Sequence, residues 1–253
     1  MIPKAARKRL DILLVERGLA ESRQKAQAMI LAGEVVIEGK RADKAGSTIP
    51  EDARVEVHSR LQKYASRGGF KLEGALEEFG TSPAGRICLD VGVSTGGFTD
   101  CLLQHGARKV YAVDVNTDQL AWKLRLDNRV IAIKKNAREL TAEDLPESVD
   151  LVVADVSFIA VKKILPGAVQ CAKPTADFLI LIKPQFELER ADVGKGGIVR
   201  GTELHQKAID SVRQAAIDLG LTCLVVLPSK LLGAEGNQEY FLHARKISAI
   251  ESR

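Results

Sequence analysis

Lys183 ends the aliphatic run Leu179 to Ile182 and is followed at once by Pro184. Such a run reads as a strand buried on both faces, and proline cannot extend a sheet, so the lysine stands at the strand's mouth. Asp155 ends a second such stretch, Asp150 to Ala154, and Glu239 opens a third, Tyr240 to Ala244. Lys71 lies in the first turn of a segment in which Leu72, Ala75, Leu76 and Phe79 repeat at helical spacing. A cation there opposes the helix macrodipole, so helix stability does not explain it. Ligands of doubly wound sheets sit outside the carboxyl ends of the strands. Two lysines and two acids converging on that rim could hold a polar substrate and handle a proton, a lysine accepting one only in its neutral form.

A second set of residues could hold a cofactor. In Leu-Asp-Val-Gly-Val-Ser-Thr-Gly-Gly-Phe, residues 89–98, glycines follow a strand and precede a helix, where Gly92, Gly96 and Gly97 would let the backbone approach a ligand closely. The spacing is G-x-x-x-G-G rather than the dinucleotide G-x-G-x-x-G, which favours S-adenosylmethionine over NAD. Asp114 ends the next strand-like run, Lys109 to Asp114, and is placed to accept both hydroxyls of a ribose.

The elements that position these residues alternate in the α/β manner. Strands are expected at 86–91, 109–115, 130–135, 149–156, 177–183, 221–228 and 239–246. Helices are expected at 96–106, 117–125, 159–171 and 203–219, preceded by one from Leu72 that Gly80 ends. That pattern predicts a Rossmann-like sheet. The first sixty residues have a different rhythm. Two short helices carry Leu10, Leu13, Leu14 and then Ala26, Met29, Ile30, with Ser22 and Gly33 capping the second. Strand-like segments at 34–42 and 53–59 follow, separated by a turn-rich stretch.

Composition is that of a globular chain of 253 residues, 45% hydrophobic and 28% charged. Its uncharged apolar runs are far shorter than the roughly 20 residues that span a bilayer. Asp11, Glu16 and Arg17 interrupt the N-terminal apolar stretch, so no secretory signal is expected and a cytoplasmic protein is. Cys88, Cys101, Cys171 and Cys223 are scattered, as are His58, His105, His205 and His243. No metal-ligand spacing results, and catalysis without a metal is expected. The net charge of +4 is unevenly spread, with 15 Lys+Arg against 9 Asp+Glu in residues 1–72 and 22 against 24 thereafter. A small basic unit beside a neutral one is the footprint of RNA tethering.

The stretch R-L-D-x-L-L-x-x-x-G-L-x-x-S-R-x-x-A-x-x-x-I-x-x-G-x-V-x-x-x-G, residues 9–39, resembles the S4 RNA-binding domain. By that resemblance Arg7, Lys8, Arg9, Arg23, Lys25, Lys40 and Arg41 face an RNA backbone, with Arg67 in the segment that follows. Across essentially the whole chain, Ser-Arg-Gly-Gly-Phe-Lys-Leu at 66–72, the glycine loop, Asp-Val-Ser-Phe-Ile at 155–159, Leu-Ile-Lys-Pro-Gln-Phe-Glu at 181–187 and Val-Gly-Lys-Gly-Gly-Ile-Val-Arg at 193–200 resemble the TlyA family. These are ribosomal RNA 2′-O-methyltransferases whose catalytic domain is similar to FtsJ. The resemblance implies a class I methyltransferase domain at 69–253, an S4-like domain at 1–60 and a linker at 61–68 containing Tyr64.

It also implies a catalytic tetrad of Lys71, Asp155, Lys183 and Glu239, and ribosomal RNA of the ribosomal subunits as partner. S-adenosylmethionine contacts fall on Asp90, Gly92, Ser94, Thr95, Gly96, Gly97, Phe98, Asp114 and Asp155, with Asn136 and Arg138 near the adenine. The expected roles are Lys183 accepting or steering the 2′-hydroxyl proton, Asp155 orienting Lys183, and Lys71 with Glu239 positioning the ribose. Family members act on a cytidine of the large-subunit RNA, some also on one in the small subunit, and the short tail after Arg245 favours the narrower specificity. The loop 189–201, rich in glycine and cations, reads as an RNA clamp or, equally, as a disordered surface loop. Three other functions compete: an assembly factor that binds RNA without catalysis, a membrane-active haemolysin, a name some members carry, and an NAD oxidoreductase, which the glycine spacing disfavours. The absence of long apolar segments weighs against the second.

Overall fold

A computed structural model describes residues 7–20, 22–31, 33–42, 44–57, 63–233 and 236–246. The chain forms two compact units, Met1–Lys63 and Tyr64–Arg253. The boundary expected at residues 60 and 61, and the tail beyond Lys246, lie outside the described residues.

In the first unit, β1 (Arg7–Arg9) leads into α1 (Leu10–Glu16) and α2 (Arg23–Leu31), followed by β2 (Val35–Ile37), β3 (Lys40–Arg41), β4 (Thr48–Pro50) and β5 (Val55–Val57). The apolar faces of both helices meet the strands in a core of Leu10, Leu13, Leu14, Ile30, Val35 and Ile49. Ser22 caps α2 as expected, its Oγ accepting the Lys25 N–H at 3.2 Å. Two expectations change. The stretch 34–42 is a hairpin, not one strand, because Glu38 and Gly39 take positive φ angles of 47° and 76° that turn β2 back as β3. The turn-rich stretch contains β4, which pairs antiparallel with β1.

At the centre of this unit, fully buried Asp11 accepts hydrogen bonds from Arg9 at 2.9 and 3.0 Å, Arg23 at 2.9 Å and Gln27 at 2.8 Å. The Arg9 guanidinium above all, with Gln27 and Arg23, holds its carboxyl well below the usual carboxylate range despite burial. One acid thereby ties β1 and α1 to α2.

The second unit runs α3 (Gly68–Phe79), β6 (Ile87–Val91), α4 (Gly97–Gln104), β7 (Lys109–Asp114), α5 (Trp122–Arg125), β8 (Val130–Lys134), β9 (Val149–Ala154), α6 (Leu165–Cys171), β10 (Ala172–Ile182), α7 (Pro184–Glu187), α8 (Thr202–Asp218), β11 (Leu221–Pro228) and β12 (Tyr240–Lys246). Its strands form one sheet in the order β11-β12-β10-β9-β6-β7-β8. Strands β8 to β10 through β6 are parallel, and β12 runs antiparallel to both β10 and β11. The strand order reverses beside β6, whose neighbours are β7 and β9, the place where such sheets bind ligands. Apolar cores cover both faces of the sheet, which is why its central strands read as unbroken aliphatic runs.

Two expected helices are broken. Residues 117–125 form a 3-10 turn, Thr117–Gln119, and then the short α5, because Leu120 and Ala121 are extended. The break lets Leu120 and Leu124 fold down onto Gly96. Residues 161–171 likewise divide into a 3-10 turn, Val161–Lys163, and α6 with Pro166 in its first turn. Strand β10 starts earlier than expected, at Ala172, with a register irregularity before Asp177.

Candidate active site

Helix α3 places Lys71 at its fourth position, and the helix ends where Gly80 adopts the left-handed φ of 61°. Asp155 is the first residue after β9, its N–H donated to the Val91 carbonyl at 2.9 Å. Lys183 is the residue between β10 and α7, and Pro184 at the first position of α7 turns the chain away from the sheet. Glu239 immediately precedes β12 rather than opening it, its carbonyl accepting the Ser229 N–H at 2.8 Å.

The four residues form two pairs. Lys183 Nζ lies 2.5 Å from Asp155 Oδ1 and donates to Ser157 Oγ at 2.7 Å. Lys71 Nζ lies 2.5 Å from Glu239 Oε2. Both lysines and Glu239 are buried, and Asp155 is half-buried. Asp155 Oδ1 makes no aligned hydrogen bond, so its pairing with Lys183 is ionic. Lys71, Asp155 and Lys183 line one cavity of about 220 Å³ together with Ser157, Gly92 and Ser94 of the glycine loop. Glu239 stands behind Lys71. A buried lysine with one close carboxylate keeps a defined direction, as a group that positions a substrate or handles its proton requires.

A second cavity of about 380 Å³ shares Gly92, Ser94, Asp155 and Ser157 with the first and extends past Asp114 and Asn136, with Val115, Ala137, Val156 and Ile164 as apolar walls. Asp114 receives the Ser94 N–H at 2.9 Å on one oxygen and the Asn116 N–H at 3.0 Å on the other, leaving lone pairs for a diol. Asn136 caps the turn Ala137–Glu139 through the Arg138 N–H at 3.1 Å. An apolar slot with a carboxylate at its mouth, opening into a chamber of paired lysines, fits the adenosine and methionine portions of S-adenosylmethionine. Asp90, expected among the cofactor contacts, lines neither cavity. It is fully buried, accepts the Thr99 hydroxyl at 2.7 Å, and leaves its Oδ1 with no partner. Burial, with Asp155 and Asp114 adding to it against the Thr99 hydrogen bonds, pushes its carboxyl up to about 7.

The loop glycines also make room for the protein itself. A Cβ on Gly92 would stand 2.4 Å from the Asp155 carbonyl, on Gly96 2.3 Å from Leu124, and on Gly97 2.2 Å from Ser66 Oγ. These close approaches fix the loop's shape. Gly97 and Phe98 line the first cavity with Ser94 and Thr95, whereas Gly96 faces Leu120 and Leu124.

Tyr64, expected in a linker, is buried in the core of the second unit against Phe70 at 5.2 Å, with its hydroxyl donated to Glu73 at 2.9 Å. Sequence reasoning also missed Ser157 and Thr99. Ser157 was findable from its position two residues beyond a strand-ending acid, but Thr99 sits inside a helix and carries no such mark.

The basic residues of the first unit are more committed to their own fold than expected. Arg7 donates to the Thr48 carbonyl, Lys8 pairs with Glu16 at 2.8 Å and Glu51 at 3.2 Å, and Arg9 and Arg23 hold Asp11. Among the described residues, Lys25 and Lys40 are exposed with no side-chain partner. The side chain of Arg41 lies outside the description. Arg67 donates to the Leu232 carbonyl at 3.3 Å and lines the first cavity, in the second unit.

Comparison with known proteins adds the decisive observation. The profile of the FtsJ-like methyltransferases matches residues 64–246, and that of the S4 domain matches residues 8–55. A Mycobacterium tuberculosis protein named 16S/23S rRNA (cytidine-2′-O)-methyltransferase TlyA is 46% identical over 95% of this chain and 91% of its own length. The chain belongs to the TlyA family of FtsJ-like methyltransferases. Its relatives do not share one name. Hemolysin A of Brachyspira hyodysenteriae is 45% identical over 93% of this chain and 98% of its own. A solved structure described as a hemolysin, from Streptococcus thermophilus, is 38% identical with a TM-score of 0.76, covering 97% of this chain and 90% of that one. Among the described residues of this TlyA-family chain, no helix is long and apolar enough to cross a membrane.

Proposed function

We propose that the chain methylates the 2′-oxygen of a cytidine ribose in ribosomal RNA, in the large subunit first and the small subunit as a second possible target, acting in the cytoplasm. The observation that carries the reading is the pair of lysine–carboxylate contacts at the strand rim, Lys183 with Asp155 and Lys71 with Glu239, beside a slot shaped for a nucleoside. The cytidine comes from the names of relatives such as the mycobacterial protein. In the proposed division of labour, residues 1–60 tether RNA, 61–68 connect, and 69–253 carry out the reaction.

S-adenosylmethionine, when bound, supplies an electrophilic methyl group. Asp114 would hold its ribose, Asn136 and Ala137 would border the adenine, and the loop from Gly92 to Phe98 would carry the rest. The ribose hydroxyl is a weak nucleophile, so the protein must place it in line and remove its proton. Lys183 is the group assigned to that proton, which it takes as the neutral amine to become the ammonium held by Asp155, with Ser157 fixing its direction. Lys71, held by Glu239 from behind, hydrogen-bonds the ribose and keeps it from rotating. A nucleotide has to leave its stack to reach this cavity.

The test is transfer of labelled methyl from S-adenosylmethionine to isolated ribosomal subunits of an unmodified strain, followed by mapping of the 2′-O-methyl group. Lys183→Ala should lower turnover by about 10²- to 10⁴-fold, the usual worth of a proton-transfer group, while cofactor binding by calorimetry stays intact. Near-normal turnover in that variant would remove Lys183 from the reaction. Unmodified RNA with the wild-type chain would remove the reading itself.

A further inference from the structure

Glu239 lies one residue before β12, its backbone tied by the Ser229 N–H on its carbonyl at 2.8 Å. The turn that delivers it is held by further bonds. Two residues upstream, Asn237 is almost fully buried, at 1% exposure, and both ends of its side-chain amide and its backbone carbonyl are hydrogen-bonded. Its Oδ1 accepts the Val199 N–H at 2.9 Å, its Nδ2 donates to the Gly197 carbonyl at 2.8 Å, and its own carbonyl accepts the Gly233 N–H at 2.8 Å.

Each bond has a consequence for Glu239. Those to Gly197 and Val199 bind the glycine-rich loop to the turn that delivers Glu239. The bond to Gly233 fixes a residue whose missing side chain is required, because a Cβ there would stand 2.6 Å from Glu239 Oε1. From the other side, His205 of α8 spans the same loop and the next residue. Its Nε2 lies 3.1 Å from the Val199 carbonyl and its Nδ1 2.7 Å from the Tyr240 hydroxyl. A carbonyl can only accept, so Nε2 carries the hydrogen, and in the neutral ring Nδ1 accepts from Tyr240. The two residues flanking Glu239 at positions 237 and 240 are thus both latched to Val199.

We infer that Asn237 is a positioning residue which, with His205 and Tyr240, latches the 194–200 loop to the turn before β12 and so holds Glu239 against Lys71. It touches no reacting atom and acts through Glu239. The inference rests on the proposed role of the Lys71–Glu239 pair in methyl transfer. It also gives the glycine-rich loop a second role: any ligand that shifts Gly197 or Val199 shifts Glu239.

The test is a double-mutant cycle on turnover with subunits as substrate. Asn237→Asp keeps the acceptor for Val199 but sets an oxygen against the Gly197 carbonyl. It should lower kcat about 10- to 100-fold, the cost of an ångström-scale misplacement. KM for the subunits and affinity for S-adenosylmethionine should stay within about threefold, since ground-state binding is untouched. In a Glu239→Gln background the same substitution should cost less than about twofold further, because residues acting through one another are not additive. Additive losses, or a parallel loss of cofactor affinity, would overturn the inference in favour of a merely structural Asn237. The latch has a readout that does not need activity: the Val199 amide should exchange hydrogen faster in Asn237→Ala, which removes its acceptor, than in wild type. Unchanged exchange overturns the latch even if the chain methylates RNA, whereas faster exchange in Asn237→Ala beside a wild-type chain that methylates nothing would fault only the proposed reaction. Should Asn237→Asp fail to fold, Tyr240→Phe removes the hydroxyl alone and should lower kcat about threefold with the same cycle behaviour. An unchanged kcat would refute the latch.

Discussion

Asp90→Asn isolates one buried carboxyl whose effect on stability has a definite sign. Asp90 is fully buried in β6, and its carboxyl is pushed from 3.8 up to about 7, chiefly by burial. Below pH 4 the folded and unfolded chains both hold the proton, and the group's contribution is at its most favourable. Between pH 4 and 7 the unfolded chain releases it first, so stability falls as pH rises. Above 7 both forms are ionised and the deficit is constant. Three pH units at about 1.4 kcal/mol each put the upper bound near 4 kcal/mol. In the variant, the amide oxygen can still accept from Thr99, and the NH₂ group meets the partnerless site of Oδ1. That costs about 1–3 kcal/mol, independent of pH. Urea unfolding of both proteins between pH 4 and 8 separates the two effects. The stability of wild type minus variant should decline steadily to about pH 7 and then level off. Glu187, another carboxyl pushed up to about 7 by burial, is present in both proteins and cancels. A flat difference across the whole range would refute the assignment of a raised Asp90.

Gly97→Ala should weaken S-adenosylmethionine binding at least about tenfold by calorimetry, because the new methyl would stand 2.2 Å from Ser66 Oγ and 2.9 Å from the Gly69 nitrogen, and backbone cannot yield cheaply. Asp177→Ala should cost about 3–5 kcal/mol in urea unfolding, as it strands cationic groups around a buried acid. Asp177 accepts from Arg86 at 2.7 Å, Arg245 at 2.8 and 2.9 Å and buried His243 at 3.1 Å, joining β10 to β12 and to the residue before β6. His243, Arg86 and Arg245 hold its carboxyl well below the usual range against the opposing effect of burial, so its stabilisation is present above pH 4 and drains away as pH falls. Lys25→Glu should weaken binding to subunit RNA and reduce the salt slope by about 1, while affinity for S-adenosylmethionine stays unchanged.

The sheet was legible in the sequence because its central strands are covered on both faces and so consist of unbroken aliphatic runs ending in Asp90-Val91, Asp155 and Lys183. Asp155 and Lys183 stood out for the same reason, since a charge that ends such a run has few structural uses. What the sequence hid were features set by contacts between distant segments. The helix expected over 117–125 breaks because Leu120 and Leu124 are pulled onto Gly96, a contact no local periodicity encodes. Strand β4 was invisible because three residues, Thr48 to Pro50, pair with β1 forty residues away. The basic face of the first unit looked broader in sequence than in structure, where buried Asp11 takes up Arg9 and Arg23. Composition counts charges but not their partners.

The glycine loop is shaped by contacts within the protein as well as by the cavity it lines. Gly97 is required by the approach of Ser66 and Gly69, and Gly69 lies in the first turn of α3, the helix that carries Lys71 two residues later. The same first turn therefore touches the cofactor loop and positions one lysine of the tetrad. Lys71 in turn meets Glu239 at 2.5 Å, and Glu239 is delivered by the turn that Asn237 holds. Asp155 closes the path from the other side, because its carbonyl is what a Cβ on Gly92 would strike and its carboxylate is what Lys183 meets. Cofactor loop and both lysine–carboxylate pairs are thus joined by direct contacts rather than by independent supports. A substitution that loosens the loop at Gly92 or Gly97 should therefore disturb turnover as well as cofactor affinity, whereas one at Asn237 should disturb turnover alone. That asymmetry follows from the order of contacts, in which the loop abuts α3 and Asp155 directly and Asn237 reaches the site only through Glu239.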